Sequence, residues 1–367
     1  MGLAFTIDTP LRVAHYGIDS VISIVDDDLV EKMRAFFCDK FRTPYTAITA
    51  KAEDSRAKRI TAYLDMVDEL VRQKFHAFCD ELAGSRQALD SYLQMLPKGS
   101  GTAQALLAAA KNTPEAMRRK LMDILRPGSV DVNIMTKVDK TNYKGNNALP
   151  AACNDAHAAL RGFAQSGLRS SLVLSAALNP SLYNYIATFG DFLPDENGNI
   201  VKKIVLKVSD FRSAMVQGSF LAKKGVWVSE YRIESGLNCG GHAFATEGLL
   251  LGPILQEFRD RRDELIESAY GLLVTALRSA GRQLPPVPPP VRVTVQGGVG
   301  TAEEHDFLLD FYRADSVGWG TSFLLVPEAT ATDQATRTLL ANAGEADLYR
   351  SDISPGRAIQ YRCRYNQ

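Results

Sequence analysis

The sequence predicts an α/β protein, a (β/α)8 barrel with a helical insertion between its second and third strands. Three observations carry this expectation. Short β-branched runs alternate with helical stretches along the chain, the pattern of parallel βαβ units. One block, from Asp28 to Arg126, holds helical periodicity and no convincing strand. Glycine-rich segments follow the sixth, seventh and eighth runs, where a barrel carries its phosphate and substrate loops.

In chain order, the first run is Leu3 to Ile7 and the second Val21 to Val25. In the helical block, Val30, Met33, Phe36 and Phe37, then Ile60, Tyr63, Leu64, Val67 and Leu70, recur at helical spacing. The block reads as three to five helices with a break at Pro97-Lys98-Gly99-Ser100-Gly101. The third run, Val130 to Lys137, leads to a helix near Asn154 to Gln165. The fourth, Ser171 to Ala176, leads to a short helix after Asn179-Pro180. The fifth is Lys203 to Val208, followed by a helix with Asp210 as its N-cap. The sixth is Val226 to Ser229, followed by the glycine-rich Gly236 to Gly241 and a long helical region, Thr246 to Ser279. Pro285 to Pro290 forms an extended connector to the seventh run, Val291 to Val295. A helix over Ala302 to Tyr312 precedes the eighth, Ser316 to Gly318. The barrel would comprise residues 1–27 and 127–367, and the inserted helical subdomain residues 28–126. An open doubly wound sheet is the alternative with the same alternation.

Composition narrows the function classes. The chain has 367 residues, with 42 basic side chains against 42 acidic ones. A zero net charge argues against nucleic-acid binding through a global basic field. No apolar stretch of about 18 residues occurs, so no membrane span is expected. Met1 to Pro10 lacks the basic-then-apolar order of a secretory signal. Cys38, Cys79, Cys153, Cys239 and Cys363 are scattered with no CxxC pair, so neither a disulfide framework nor a zinc knuckle is expected. These features together predict a cytoplasmic protein with free thiols. Asp26-Asp27-Asp28 reads as the acidic start of a helix rather than a metal site, and no metal is expected.

Two segments carry chemistry. In Val291 to Gly300 a strand ends in Gly297-Gly298 and a helix begins at once, a device that brings backbone N–H groups and a helix N-terminus to an anion. Asp315 to Phe323 repeats the device, with Gly320 and Thr321 offering an N–H and a hydroxyl. Loops after the last two strands of a barrel share one phosphate site. The second segment is Ser235-Gly-Leu-Asn-Cys-Gly-Gly-His242. Here Gly240 and Gly241 can carry His242 close to a ligand, where it moves a proton near neutral pH. His15, His76, His157 and His305 read as structural. Tyr183, Tyr185 and Trp319 are candidates for lining a pocket, although core packing is the commoner role.

The order strand, Gly-Gly-His, strand, Gly-Gly, helix continues with Ala314-Asp315-Ser316-Val317, Gly320-Thr321-Ser322-Phe323 and Glu328. Over residues 203 to 328 this resembles the nitronate monooxygenase (2-nitropropane dioxygenase-like) family of FMN-dependent TIM barrels, whose architecture flavin-dependent enoyl-ACP reductases share. The chain departs from the family in carrying Asn238-Cys239 where Glu-Ala is common. The resemblance implies FMN, with its phosphate on Gly297, Gly298, Gly320 and Thr321, and implies that His242 handles a proton beside the flavin. Beside such a cofactor, Lys137 and Lys207, at strand ends, would supply a cation near the pyrimidine, and Asn133 would hydrogen-bond the ring edge. Cys239 is either a thiolate nucleophile or second proton donor, or a small packed residue standing for alanine.

The function this implies is FMN-dependent oxidation of a small activated carbon acid, with O2 as acceptor. The alternatives are an FMN-dependent enoyl reductase using NAD(P)H, a flavin-free barrel isomerase or lyase acting on a phosphorylated substrate, and a non-catalytic flavin- or partner-binding protein. The expected partners are a small-molecule substrate and O2 or NAD(P)H, with a homodimer one place for the insert to pack.

Overall fold

Strand-forming runs separated by amphipathic helices assemble here into one sheet with helices packed on its outer face. The computed structural model describes residues 6–24, 26–97, 99–134, 139–174, 178–234, 251–297, 299–319, 321–344, 348–350 and 361–363. A short helix α1 (Thr9–Val13) leads to β1 (Ser20–Ile24). The helical block follows as α2 (Asp27–Phe41), α3 (Ser55–Gly84), α4 (Arg86–Met95), α5 (Gly101–Ala109) and α6 (Pro114–Ile124). Then come β2 (Val130–Ile134), a small hairpin of β3 (Tyr143–Lys144) and β4 (Asn147–Ala148), α7 (Asp155–Gln165), β5 (Ser171–Leu174) and α8 (Pro180–Ile186). β6 (Lys203–Val208), α9 (Phe211–Ala222) and β7 (Val228–Glu234) continue the alternation. α10 (Gly252–Asp260) and α11 (Arg262–Ser279) precede β8 (Arg292–Gln296), α12 (Ala302–Asp310) and β9 (Ser316–Gly318). α13 (Gln334–Asn342) and a two-stranded pair, β10 (Leu348–Arg350) with β11 (Tyr361–Cys363), complete the described elements.

The main sheet has the order β1-β2-β5-β6-β7-β8-β9, and every neighbouring pair is parallel. Its strands follow chain order without a reversal. A doubly wound sheet reverses at a switch point, so that alternative is excluded. The sheet also curls. Asp131 on β2 lies within electrostatic reach of Arg232 and Glu230 on β7, although three strand spacings in a flat sheet would separate these strands by ~14 Å. The fold is therefore a mixed α/β fold with a curled, seven-stranded parallel sheet. Of the expected first strand, residues 3–5 lie outside the described residues, and Ile7 sits in a turn rather than a strand. Among the described residues β1 and β9 do not pair with each other.

The two faces of this sheet differ in chemistry. Ile22, Ile24, Val132, Ile134, Leu172, Leu174, Ile204, Leu206, Tyr231, Ile233 and Val295 are buried in the main hydrophobic core, which includes residues of α7, α9 and α11. In-register residues on the other face are Ser23, Asn133, Val173, Val205 and Glu230 in one row, Lys207 with Arg232 and Thr294 in another, and Glu234 with Gln296 and Gly318 in a third, while Asp131 pairs with Val21. The side-chain period of two thus separates an apolar outer face from a largely polar inner one, in which Val173 and Val205 are the buried apolar pair at its centre. The expected sixth strand, Val226 to Ser229, is corrected by this pattern. The strand is Val228–Glu234, because Tyr231 and Ile233 enter the core while Glu230, Arg232 and Glu234 pair on the inner face.

The helical block forms five helices and no described strand, as its periodicity predicts. At ~1.5 Å per residue, α3 is long enough to join two cores. Its first half, through Ile60, Tyr63, Leu64, Val67 and Val71, belongs to the main core. Its second half, through Phe75, Phe78, Cys79 and Leu82, forms a smaller core with α4, α5 and α6. Gly162 allows α7 to approach α3 closely: a Cβ there would meet Ile60 Cβ at 2.8 Å. Thr61 Oγ1 donates to the Gly162 carbonyl at 2.9 Å across the same contact.

Candidate active site

The inner face of the sheet is buried and largely polar, and several of its polar groups pair with one another. Arg232 donates from its Nε to Glu230 Oε1 at 2.9 Å, and its Nη2 forms an ion pair with the same oxygen at 2.7 Å. Thr294 Oγ1 donates to that oxygen at 2.7 Å, and Arg292 lies 3.7 Å from Glu230 Oε2. Asp131 Oδ1 accepts from Ser129 Oγ at 2.6 Å and from the Ser171 N–H at 2.9 Å. Burial pushes the Asp131 carboxyl above the usual carboxylate range, against those two hydrogen bonds and the attraction of Arg232.

Three polar groups lie at or near the carboxyl ends of the strands, the edge at which parallel α/β sheets bind ligands. Lys207 Nζ, on β6, is 3.3 Å from Glu234 Oε1, the last residue of β7, and both side chains are mostly buried, at 18% and 7% exposure. Asn133, on β2, is 8% exposed and donates from Nδ2 to Ser23 Oγ at 3.1 Å. Its Oδ1 is buried with no hydrogen-bond partner among the described residues. A buried amide oxygen left unpaired costs ~1–3 kcal/mol, and a bound N–H donor would recover that cost.

The structure brings Asn133 and Lys207 to this edge, on strands separated only by β5. Lys137, Cys239, Gly240, Gly241, His242, Gly298 and Gly320 lie outside the described residues, as does the side chain of Thr321, whose backbone begins a 3-10 turn over Thr321–Leu325. Gly297 follows β8 with φ of 82°, the left-handed region that favours glycine. Its N–H donates to the Gly318 carbonyl at 2.9 Å. The N-terminus of α12 is also capped from within: Glu304 Oε2 accepts from the Gly300 N–H at 2.7 Å and the Thr301 N–H at 3.2 Å, while Thr301 Oγ1 accepts from the Glu304 N–H. This is a capping box, and its carboxylate stands where an external anion would bind.

The remaining candidates resolve into structural roles. Asp26 caps α2 by accepting from the Asp28 and Leu29 N–H groups, and Asp27 and Asp28 pair with Arg59. No group of three or more potential metal ligands occurs among the described residues. Tyr183 is fully buried and donates to Gln217. Trp319 Nε1 donates to His305 Nδ1 at 2.9 Å. Sequence reasoning missed Glu230, Arg232 and Glu234. Their alternation in Glu230-Tyr-Arg-Ile-Glu234 was the available signal, since charges at every second position mark one face of a strand.

No protein-family model matches the chain. No curated protein matches it. Among solved structures, the enoyl reductase domain of MlnA from the macrolactin biosynthesis cluster of Bacillus amyloliquefaciens is similar at 15% identity and a TM-score of 0.39, over 70% of this chain. The chain spans 53% of that domain's length. A HpcH/HpaI aldolase/citrate lyase family protein from Burkholderia cenocepacia is similar at 16% identity and a TM-score of 0.26, over 66% of this chain and 91% of that one.

Proposed function

We propose that the chain is an FMN-dependent oxidoreductase of the nitronate monooxygenase-like type, oxidising a small activated carbon acid with O2 as acceptor. The observation that carries this reading is the carboxyl edge of the parallel sheet. There Asn133 Oδ1, buried and without a partner among the described residues, lies two strands from the Lys207 ammonium. An acceptor and a cation at such an edge suit the rim of a heteroaromatic ring with N–H and carbonyl groups. The glycine pairs and His242, which follow the neighbouring strands in sequence, support the same reading.

FMN, when bound, would supply the two-electron acceptor. Asn133 would accept a hydrogen bond from the ring edge, and Lys207 would offset negative charge there. The N–H groups of Gly297, Gly300 and Thr301 are already bonded within the chain. The phosphate would therefore fall to Gly298, Gly320 and Thr321. His242 would remove the proton beside the substrate's activating group, with Gly240 and Gly241 allowing its close approach, and Cys239 would stand beside it as a small neighbour.

The test is an absorbance spectrum of the purified full chain, before and after titration with FMN. The expected result is a visible flavin spectrum whose chromophore is released on denaturation. A colourless protein that takes up no FMN overturns the reading. Under anaerobic conditions an alkyl nitronate is expected to bleach the bound flavin. Bleaching by NADPH but not by nitronate would instead make the protein a reductase of the enoyl type.

A further inference from the structure

His157 belongs to a constellation that the flavin reading does not use. It lies in the first turn of α7, and its side chain is only 3% exposed. Its Nδ1 is 3.0 Å from Asp139 Oδ2, an oblique contact rather than a straight hydrogen bond. Its Nε2 is 3.2 Å from Ser181 Oγ, in α8. Asp139 is held in turn: Oδ1 accepts from the Ala156 N–H at 3.1 Å and Oδ2 from Asn179 Nδ2 at 3.3 Å. The Tyr185 ring packs at 5.3 Å from the imidazole. Ser181 itself is exposed.

A carboxylate on one imidazole nitrogen, with a serine hydroxyl on the other, is the arrangement that activates serine as a nucleophile. The carboxylate orients the ring and stabilises it when protonated. In the absence of substrate, loose contacts are common in such sets. The burial pattern also fits the chemistry, because the base is shielded from water while the serine belongs to an exposed residue that a reagent can approach.

We propose that Asp139, His157 and Ser181 form a second reactive centre, in which His157 activates Ser181 for acyl transfer from a small ester. Ser181 Oγ forms a bond to the acyl carbon as its proton passes to His157 Nε2. The ester C–O bond then breaks, and the departing alkoxide takes that proton. Water completes the cycle: it gives a proton to His157, its oxygen bonds to the acyl carbon, and the Ser181 Oγ–acyl bond breaks as Oγ takes the proton back. No electron is transferred, and the centre is independent of any flavin.

The probe is an alkyl fluorophosphonate, which bonds to an activated serine with loss of fluoride and does not turn over. It is applied to the full chain and read by peptide mass mapping. Ser279, an exposed serine at the end of α11 with no histidine partner among the described residues, serves as the internal reference. Ser181 is expected to react ~10² times faster than Ser279 or more, the usual contribution of a positioned base. His157→Gln is expected to remove that advantage and Asp139→Asn to reduce it, with circular dichroism confirming that each variant folds. Equal labelling of Ser181 and Ser279 in the unmodified protein overturns the proposal whether or not the variants fold. An unchanged Ser181 rate in a folded His157→Gln protein overturns it as well.

Discussion

The two faces of the central sheet are built from the same strands and do different work. Outward, Leu206, Tyr231, Ile233 and Val295 are nearly inaccessible and enter a core shared with the surrounding helices. Inward, Asp131, Asn133, Glu230, Glu234 and Thr294 are almost as buried, yet they make ion pairs and hydrogen bonds, beside the two valines, Val173 and Val205, that share their face. Burial of apolar area stabilises a fold with little dependence on geometry. Buried charge contributes only where partners are well placed, and its net contribution is often small. The outer face should therefore carry the stability of the sheet and the inner face its chemistry.

The largest expected effect tests the outer face. Leu206→Ala removes a fully buried side chain from the middle of β6 and should cost about 2–5 kcal/mol, depending on how far the site collapses. The measurement is the urea midpoint at unchanged m-value. A cost below ~1 kcal/mol would mean that the outer face is loosely packed and does not carry the stability of the sheet.

The next effect belongs to the inner face. Arg232→Met keeps the stem but strips Glu230 of its ion-pair partner, leaving a buried carboxylate that, among the described residues, Thr294 and the more distant Arg292 still touch. A loss of about 1–3 kcal/mol is expected. Adding Glu230→Gln should restore part of it, because the coupling energy of the pair is then absent from both sides of the cycle. If Glu230→Gln restores nothing, the arginine acts through packing rather than charge.

A smaller effect probes how closely the outer face is fitted. Alanine normally favours a helix over glycine by ~1 kcal/mol. At Gly218 in α9, however, a Cβ would lie 2.1 Å from Tyr231 Oη. Gly218→Ala should therefore destabilise by ~1 kcal/mol, the overpacking cost exceeding the helical gain. In a Tyr231→Phe background, which lacks the obstructing oxygen, the same substitution should be neutral or stabilising. Thermal midpoints of the four proteins decide this, and a stabilising Gly218→Ala in the unmodified background would count against a tight fit.

This difference between the faces also explains what could be read in the sequence. β6, β9, the cap at Asp210 and the helix starts after Asn179-Pro180 and at Ala302 follow from local signals: apolar runs, and a side-chain oxygen or a proline ahead of helical periodicity. The full length of β7 was less legible, because half of its residues are charged and a charged residue reads as surface until its partners are known. Lys207 with Glu234 and Arg232 with Glu230 become a buried network only when the strands are set side by side. Asn133 was legible as an amide on the third strand, but that its Oδ1 has no partner among the described residues depends on neighbours that the sequence does not rank. The partners of His157 lie on separate loops and helices with no periodic relation to it, so its linkage to Asp139 and Ser181 has no sequence signature.

The most delicate test concerns the sign of the inner-face electrostatics. Asp131 is held by two donors and attracted by Arg232, but burial outweighs these and raises its carboxyl above the ~3.9 expected of an unfolded aspartate. The folded protein then holds a proton there that the unfolded chain has already released. The stability gained from that proton is complete below the unfolded value and is lost as pH rises through the folded value. Asparagine never ionises and keeps an oxygen for Ser129 and Ser171. Relative to the unmodified protein, Asp131→Asn should therefore gain stability as pH rises through the acid range, and the difference should level off toward neutrality. Urea unfolding at a series of pH values measures this directly. If the unmodified protein instead gains on Asp131→Asn as pH rises, the attraction of Arg232 outweighs burial. The inner face would then stabilise the fold through its charges, and the division between the two faces would have to be redrawn.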